Sequence, residues 1–374
     1  MKQMIFSGDK IPDDLLFIPT IVFGFYPTDK AASFENTAET LRQRYEGIEI
    51  LGSKSSGNMA GMAPYKTDEV VWCLLDLDRE AFCVAFAPDE RALEISDKWQ
   101  KKTKSAFLFY AVYDHCIQRK LEVVSDVLNG GAFFGAIAGG STDTNDEGSF
   151  YCNGQFYERG VLFCLIDADR YEIRGSSLHD FEPAGIELIV TQTDGYTVTH
   201  IEDEPALFMV EQIIGQMTSS RLEMFDSPFF VKERSAGAGS PYKTLASLVS
   251  IDRKNGTLTL SRILFPGDTL KVAIPASYSS VKQRFSRVQK DLQGSTDNGV
   301  MMVLSSSVMP AHWHDMETLH IMKMIENIKL PFLGMHTASE ICPVNGERRS
   351  MLQNQTLSVV ILREKEEVQD AAAE

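Results

Sequence analysis

Short runs of apolar, β-branched and aromatic residues recur in the first quarter of the chain and predict strands. Three of them lie between residues 20 and 86, separated by polar and turn-forming segments. Between the first two runs, residues 33–45 place apolar side chains at helical spacing among charges, which predicts an amphipathic helix. A longer helix is predicted over residues 105–128, ending at the glycines that follow Asn129.

The middle of the chain carries the turn signals of antiparallel hairpins. Asn153-Gly154 stands between β-rich runs and is a signal for a type I′ hairpin turn, and a second hairpin is predicted around Asn255-Gly256. Residues 160–167 continue as a buried strand, and a further helix runs over 203–214 until Gly215 closes it. Hairpins mixed with strand–helix–strand units predict an α/β fold of mixed α+β type, with mixed parallel and antiparallel sheets flanked by helices.

A strand–helix–strand unit whose second strand ends at a glycine occurs twice, over residues 21–59 and 300–341. In each copy the glycine, Gly52 or Gly334, precedes small hydroxyl and polar residues, and another apolar strand follows. Residues 134–143 have a similar strand-then-glycine form. The chain is therefore predicted to consist of two related halves.

The polar residues after these glycines are the candidate ligand contacts. A glycine that ends a buried strand lets the backbone turn sharply, and exposed amides and hydroxyls at such a turn bind carboxylate, phosphate or carbonyl groups. The alternative is that the glycines close tight turns and the serines satisfy local backbone groups. We expect the turns of the two halves to line one pocket. The candidate contacts are Gly52, Ser53, Ser55, Ser56, Gly135, Asp143, Gly334, His336, Thr337 and Glu340.

Composition and charge narrow the class of protein. The net charge of −16 argues against nucleic acid and against anionic membrane surfaces, because both are polyanions. No signal-peptide core and no apolar run of membrane-spanning length is present. The six cysteines are scattered without a metal or disulfide spacing, which indicates a reduced, cytoplasmic protein.

Length and the repeat predict two modules, and residues 363–374 are predicted to form a disordered charged tail. At 374 residues the chain exceeds the usual size of one domain.

Catalytic and metal motifs are not found in the sequence. It has no Gly-x-Ser-x-Gly elbow, kinase signature or P-loop, and no catalytic residue is assigned. His312 and His314 are two positions apart and would diverge on a helix, so no metal site is predicted there. Two histidines are weak candidates for a haem ligand: His115, within the predicted long helix, and His336, within the second repeat.

An ordered set of segments resembles the FIST sensory proteins, whose N-terminal and C-terminal modules are usually found together. Residues Gly52–Met59 are similar to the family's Gly-Cys-Ser-Thr-x-Gly-Glu-Ile segment, and Phe134–Asp143 to its Gly-Gly-x-Ala-Gly-Asp segment. Glu204–Leu207 resembles the Pro-Ala-Leu helix that opens the C-terminal module. Pro331–Ile341, followed by Gln355–Leu362, resembles the strand pair at its end.

Several positions depart from the family pattern. Ser53 stands where cysteine is common, Asn58 where glutamate is, and Ser339 where glycine is. The run Ser305–Ser307 replaces a segment that contains cysteine and arginine in the family. These differences bear on the identity of the ligand more than on the fold.

The resemblance implies a FIST N-like module over 1–200, a FIST C-like module over 201–362, and an intracellular sensory role. Such proteins are thought to bind small ligands, amino acids being one suggestion, and to signal to a separate partner such as a histidine kinase or a cyclic-dinucleotide enzyme. Haem is a possible cofactor, since some members of the family are haem proteins that sense nitric oxide. A haem-based gas sensor and an uncharacterised hydrolase-like enzyme are the two alternative functions.

Overall fold

In the residues that it describes, the computed structural model contains 26 strands and four α-helices. The residues that it describes are 1–61, 63–88, 104–111, 117–128, 131–139, 148–217, 228–234, 244–293, 298–307, 319, 321, 323, 327–343 and 350–365.

Most of these elements belong to three units of the same plan. The first comprises β1 (Lys2–Ser7), β2 (Ile21–Pro27), α1 (Ala31–Arg44), β3 (Glu49–Ser55), β4 (Asn58–Gly61), β5 (Ala63–Thr67) and β6 (Val71–Asp76). The second comprises β7 (Phe82–Ala87), β8 (Lys104–Tyr110), α2 (Ile117–Val127), β9 (Phe133–Ile137), β10 (Phe150–Cys152), β11 (Gln155–Tyr157) and β12 (Val161–Asp167).

The third unit is interrupted by an inserted module. It begins with β13 (Tyr171–Leu178), after which the module follows. The module comprises β14 (Phe181–Asp194), β15 (Thr197–Ile201), β16 (Glu204–Pro205), α3 (Ala206–Met217), β17 (Phe229–Lys232), β18 (Thr244–Ala246), β19 (Leu248–Asp252), β20 (Thr257–Leu260) and β21 (Thr269–Pro275). The third unit resumes with α4 (Tyr278–Leu292), β22 (Gly299–Ser306), β23 (Phe332–Thr337), β24 (Ser339–Pro343), β25 (Ser350–Gln353) and β26 (Leu357–Glu364).

Three six-stranded sheets repeat one order of strands. The orders are β1-β6-β2-β3-β10-β11, β7-β12-β8-β9-β24-β25 and β13-β26-β22-β23-β4-β5. The two middle strands of each sheet are parallel, namely β2 with β3, β8 with β9, and β22 with β23. All other pairings in these sheets are antiparallel. The prediction of a mixed α+β fold with mixed sheets is therefore confirmed.

A cyclic exchange of hairpins connects the three sheets. The hairpin β4–β5 of the first unit extends the third unit's sheet at β23. The hairpin β24–β25 of the third unit extends the second unit's sheet at β9, and β10–β11 of the second unit extends the first unit's sheet at β3. The sequence predicted two related units, and the described residues form three, because the strand Phe133–Ile137 belongs to a further full copy.

The inner faces of the three sheets share one apolar core. Phe23 of the first unit, Phe107 of the second and Met302 of the third all belong to it. The rings of Phe23 and Phe107 meet edge to face, with centroids 5.5 Å apart. Alternate residues of the same strands face outward, where α1, α2 and α4 cover one sheet each. The inserted module has its own core between α3 and an eight-stranded sheet.

Gly52 lies inside β3 and not at a strand end, and so do Gly135 in β9 and Gly334 in β23. The three glycines are equivalent, since each sits opposite the middle of the parallel partner strand. A Cβ atom at Gly52 would lie 2.4 Å from Cζ of Phe34, the α1 ring that stacks on Trp72. Gly52 therefore admits a helix side chain on the outer face, a role that differs from the predicted sharp turn.

Three sequence expectations differ from the structure. Residues 104–110 form β8, and the helix predicted over 105–128 begins only at Ile117, because the apolar run before it pairs on both sides within a sheet. Gly215 lies within α3, which continues to Met217. The predicted tail begins two residues too early, since Arg363 and Glu364 pair with β13 inside β26.

The predicted turn at Asn153-Gly154 is present, whereas the predicted module boundary falls within a strand. Asn153 and Gly154 take φ values of 50° and 106°, as the type I′ turn of β10–β11 requires. The boundary predicted between residues 200 and 201 falls inside β15, and the division into modules stays a prediction. None of the helices in the described part of the chain combines the length and apolar composition needed to cross a bilayer.

The contact between Gly52 and Phe34 predicts a specific effect on stability. Gly52→Val places a branched side chain against a buried ring, and overpacking of this kind lowers the free energy of unfolding by about 1–3 kcal/mol. Urea unfolding followed by circular dichroism measures the change. The control is Gly195→Asn, because Gly195 has φ 57° and a Cβ atom there meets no described heavy atom within 4 Å. Equal stability of the two variants would contradict this assignment.

Candidate functional site

The segments that lead from each sheet to the next meet at one place. After β3, the amide of Ser56 donates to the carbonyl oxygen of His336 at 3.2 Å. In return, the amide of His336 donates to the carbonyl oxygen of Gly57 at 2.8 Å. The polar residues that follow Gly52 and Gly334 therefore lie together, as the repeat indicated.

The second unit contributes the third crossover to the same place. The amide of Gly139 donates to the carbonyl oxygen of Lys54 at 3.1 Å, and that of Ala338 to Ile137 at 3.2 Å. Gly139 has φ 87°, a conformation that a residue with a Cβ atom rarely adopts. Each pair of units is thus joined by backbone hydrogen bonds where the parallel strands end. In open α/β sheets, ligands usually bind beyond the carboxyl ends of the strands.

In the third unit this place contains a buried carboxyl group. Glu340 is fully buried on the face that β24 turns towards the central core. Thr337 Oγ1 donates to Glu340 Oε1 at 2.6 Å, and Thr356 Oγ1 donates to Oε2 at 2.7 Å. Glu340 therefore connects the crossover after β23 with the turn before β26.

A third hydroxyl group lies between these two threonines. Ser306 pairs with Thr337 across β22 and β23, and its amide donates to the carbonyl oxygen of Thr356 at 3.1 Å. Strand alternation places its side chain on the same inner face as Leu304. Ser306 is fully buried, and its Oγ has no hydrogen-bond partner among the described residues.

The first unit has a neutral version of the same arrangement. Asn58 occupies the position that is equivalent to Glu340. Asn58 pairs with Met335, the residue after Gly334, and Glu340 pairs with Ala136, the residue after Gly135. Ser55 Oγ donates to Asn58 Oδ1 at 2.5 Å.

The amide group of Asn58 is bonded further within the first unit. Its Nδ2 donates to the carbonyl oxygens of Phe25 at 3.1 Å and Glu69 at 2.8 Å. Its hydrogen-bonding capacity is largely used by the protein itself.

The second unit builds the same positions from apolar residues. Phe150 takes the position of Glu340, Ala138 that of Thr337, and Ala111 that of Ser306. Phe150 is fully buried in the central core. The fold therefore does not require a polar group here. Burying Glu340 has a desolvation cost that the apolar version avoids.

Burial dominates the electrostatics of Glu340. It raises the pKa of the carboxyl group from 4.5 to about 8, and the donors on Thr337 and Thr356 oppose the shift without cancelling it. Cys342 is a titratable neighbour on the same strand. Burial raises the pKa of its thiol first, and the Glu340 charge raises it further.

The turn before β26 is also polar and buried. Asn354 and Gln355 are each at most 5 % exposed, and Gln355 has φ 52°, which is uncommon for a residue with a side chain. Ser339 Oγ donates to Asn354 Oδ1 at 2.9 Å. Asn354 Nδ2 and Gln355 Oε1 have no partner among the described residues. Unpaired buried polar atoms of this kind are costly and mark a place where water or a ligand binds.

Nine of the ten predicted contact residues are described and fall into three groups. Ser53, Ser55, Thr337 and Glu340 are buried on the inner side of the crossovers, and Ser56 and His336 join the crossovers through backbone atoms. The glycines Gly52, Gly135 and Gly334 face the outer helix layer. Asp143 lies outside the described residues. Contact of any of them with a ligand stays a prediction.

His336 and His115 were the candidate haem ligands. His336 is buried, with 6 % of the residue exposed, and His115 lies outside the described residues. Haem ligation by either histidine stays a prediction. Among the described residues, no group of three His, Cys, Asp or Glu side chains is placed to hold a metal ion.

A small cavity in the central core is apolar. Phe23, Phe107, Met302 and Leu333 line it together with Cys73 and neighbouring aliphatic side chains. A ligand that needs hydrogen bonds would therefore bind at the polar end of the core and not in this cavity.

One part of the chain matches a known protein family. Residues 20–204 match the family model of the FIST N domain. FIST domains are sensory domains and are generally not enzymes. The match contains β2 to β12 and therefore the crossovers of the first two units, while the FIST C-like module over 201–362 stays a prediction. No curated protein matches the chain.

Sequence reasoning missed part of this site beyond the FIST N match. Thr356, Ser306 and Asn354 contribute to the polar cluster but were not among the candidate contacts. Ser306 belongs to the hydroxyl run Ser305–Ser307, so an unusual polar end to an apolar strand was the available signal. Thr356 and Asn354 had no comparable signal, because only the sheet pairing brings that turn to Glu340.

The buried carboxyl group predicts a pH dependence of stability. The native state keeps the Glu340 proton between about pH 4.5 and 8, where the unfolded chain has released it. The stabilisation is therefore fully present below the lower value and is lost as pH rises through the upper one. Relative to Glu340→Gln, the wild-type free energy of unfolding should fall over this window, by on the order of a few kcal/mol. Urea unfolding at several pH values measures it, and parallel profiles would contradict the assignment.

Proposed function

We propose that this protein is a small-ligand-binding sensory protein whose ligand contacts the polar cluster where the three crossovers meet. The sensory role is that of FIST domains, to which residues 20–204 are similar. The observation that carries the location is internal to the chain. Glu340 and Thr337 occupy positions that the second unit fills with Phe150 and Ala138, so the polar version is not a requirement of the fold.

The location also supports a means of signalling. The cluster lies beside hydrogen bonds that join all three units, for example those between Ser56, His336 and Gly57. A ligand with different affinities for two arrangements of these crossovers shifts the balance between them. Such a shift would change the surface that the protein offers to a separate partner. A histidine kinase or a cyclic-dinucleotide enzyme is the kind of partner that the family resemblance implies.

The site is less suited to nucleophilic catalysis. Ser55 donates its hydroxyl hydrogen to the amide of Asn58, which is not a base that accepts a proton. Ligand binding without turnover therefore accounts for the arrangement best.

The function predicts a ligand-induced rise in melting temperature that depends on this cluster. A thermal-shift screen of purified protein against amino acids, nucleotides and hemin is expected to yield at least one stabilising compound. Thr337→Val keeps the shape of the side chain but removes its hydroxyl, and should reduce the binding constant of that compound about tenfold or more. Thr259→Val, in the inserted module, is the matched control. A screen in which no compound stabilises the protein would contradict the proposal, and so would equal binding of the compound by Thr337→Val and Thr259→Val.

A further inference from the structure

Oxygen atoms dominate the surroundings of Glu340. Its two carboxyl oxygens accept from the hydroxyls of Thr337 and Thr356. Ser306 pairs with Thr337 and donates its backbone amide to Thr356, and its Oγ has no partner among the described residues. The backbone amides of Thr356 and of Glu340 itself also donate to the carboxyl group. The hydroxyl oxygens of Thr337, Thr356 and Ser306 each keep a lone pair, and the carboxyl group supplies a negative charge when it is ionised.

This set of atoms favours a particular class of ligand. A hydroxyl has one hydrogen and two lone pairs, so Thr337 and Thr356 keep donating to Glu340 while a lone pair remains available. Oxygen donors suit hard cations, and a buried carboxylate repels anions. No cationic side chain in the described part of the chain contributes to the ionisation of Glu340. A ligand that carries a positive charge would supply the missing counter-charge.

The charge of the ligand is limited to one. A single carboxylate balances one positive charge, whereas protein sites for divalent ions usually combine several carboxylates. Among the described residues no group of three His, Cys, Asp or Glu side chains comes together. The other groups that face Glu340 are uncharged or titrate as a thiol: Ala136 on β9, Gln353 on β25 and Cys342 on β24.

We propose that Glu340, Thr337, Thr356 and Ser306 bind a small monovalent cation, either an alkali-metal ion or the ammonium group of an organic ligand. Binding replaces the proton of the Glu340 carboxyl group, which leaves to the solvent, so the charge of the site is the same before and after. This inference rests on the proposed function in taking the polar cluster as the ligand site. It adds the charge of the ligand and its link to pH.

The exchange of a proton for a cation has a measurable consequence. Because the cation binds only the ionised carboxyl group, its apparent affinity rises about tenfold per pH unit until the carboxyl group is ionised, and then levels off. A ligand that does not displace a proton has no such dependence.

The test uses four chloride salts at constant ionic strength: sodium, potassium, methylammonium and tetramethylammonium. The melting temperature of the full chain is measured against concentration at pH 6.5 and 8.5. At least one of the first three cations is expected to stabilise the protein more than tetramethylammonium, which has no N–H donor and is larger, and more strongly at pH 8.5. A response to sodium or potassium identifies an alkali-metal site, and a response to methylammonium alone identifies an organic ammonium site.

Two variants and a control locate the effect. Glu340→Gln should abolish the cation-specific rise in melting temperature and its pH dependence. Ser306→Ala should weaken the apparent affinity for the cation about tenfold without removing the pH dependence. If Glu340→Gln does not fold, Ser306→Ala still decides the matter. Ser247→Ala is the control, because Ser247 is also a buried serine whose Oγ has no described partner, but it lies in the inserted module.

Two outcomes would overturn the inference. One is an equal response to all four cations, and the other is an unchanged response in Ser306→Ala and Glu340→Gln. A compound from the ligand screen that binds wild type and Glu340→Gln equally, at both pH values, would also overturn it while leaving the sensory function standing. If no compound in the ligand screen stabilises the protein but the response to cations is specific, the proposed sensory function is contradicted and the cation site is supported.

Discussion

Backbone hydrogen bonds between each hairpin and the sheet of another unit are the constraint on which this structure depends. The strands β4, β10 and β24 leave their own units and complete the sheets of their neighbours. Each exchange protects a sheet edge that would otherwise expose unpaired amides and carbonyls. Because the exchange is cyclic, no unit completes its sheet alone, and the three units are expected to fold as one cooperative body. The pairings are also distant in sequence, which favours slow folding.

The same exchange creates the candidate site. A chain that leaves one sheet for another has to cross between them, and three such crossings converge where the parallel strands end. Their backbone groups are satisfied by one another, as between Ser56 and His336. Side chains at the crossings therefore point into the core without being needed for the turn itself. That freedom explains why one position holds Phe150, Asn58 and Glu340 in the three units.

Much of the framework was predictable from local pattern, and the reasons for the failures are physical. The strand–helix–strand repeat was visible because Gly52 and Gly334 recur with matched flanking elements. The strand at residues 104–110 was not, since an apolar run without a turn signal fits a buried strand and a buried helix equally well. Ser55, Thr337 and Glu340 were among the candidate contacts because they follow the glycines in sequence. Thr356 was not, because a pairing between distant strands brings it to Glu340.

The internal repeat offers a comparison that a single sequence otherwise lacks. Three copies of one backbone position, held by equivalent pairings, show which side chains the fold accepts there. Phe150 shows that an apolar residue suffices, and Asn58 shows that a neutral polar residue can be satisfied entirely by its own unit. Glu340 differs from both, because its ionisation is opposed by burial and no described cation favours it. A buried carboxyl group that the fold does not require, and whose ionised form no described cation stabilises, is the reason for proposing that the ligand binds in the third unit.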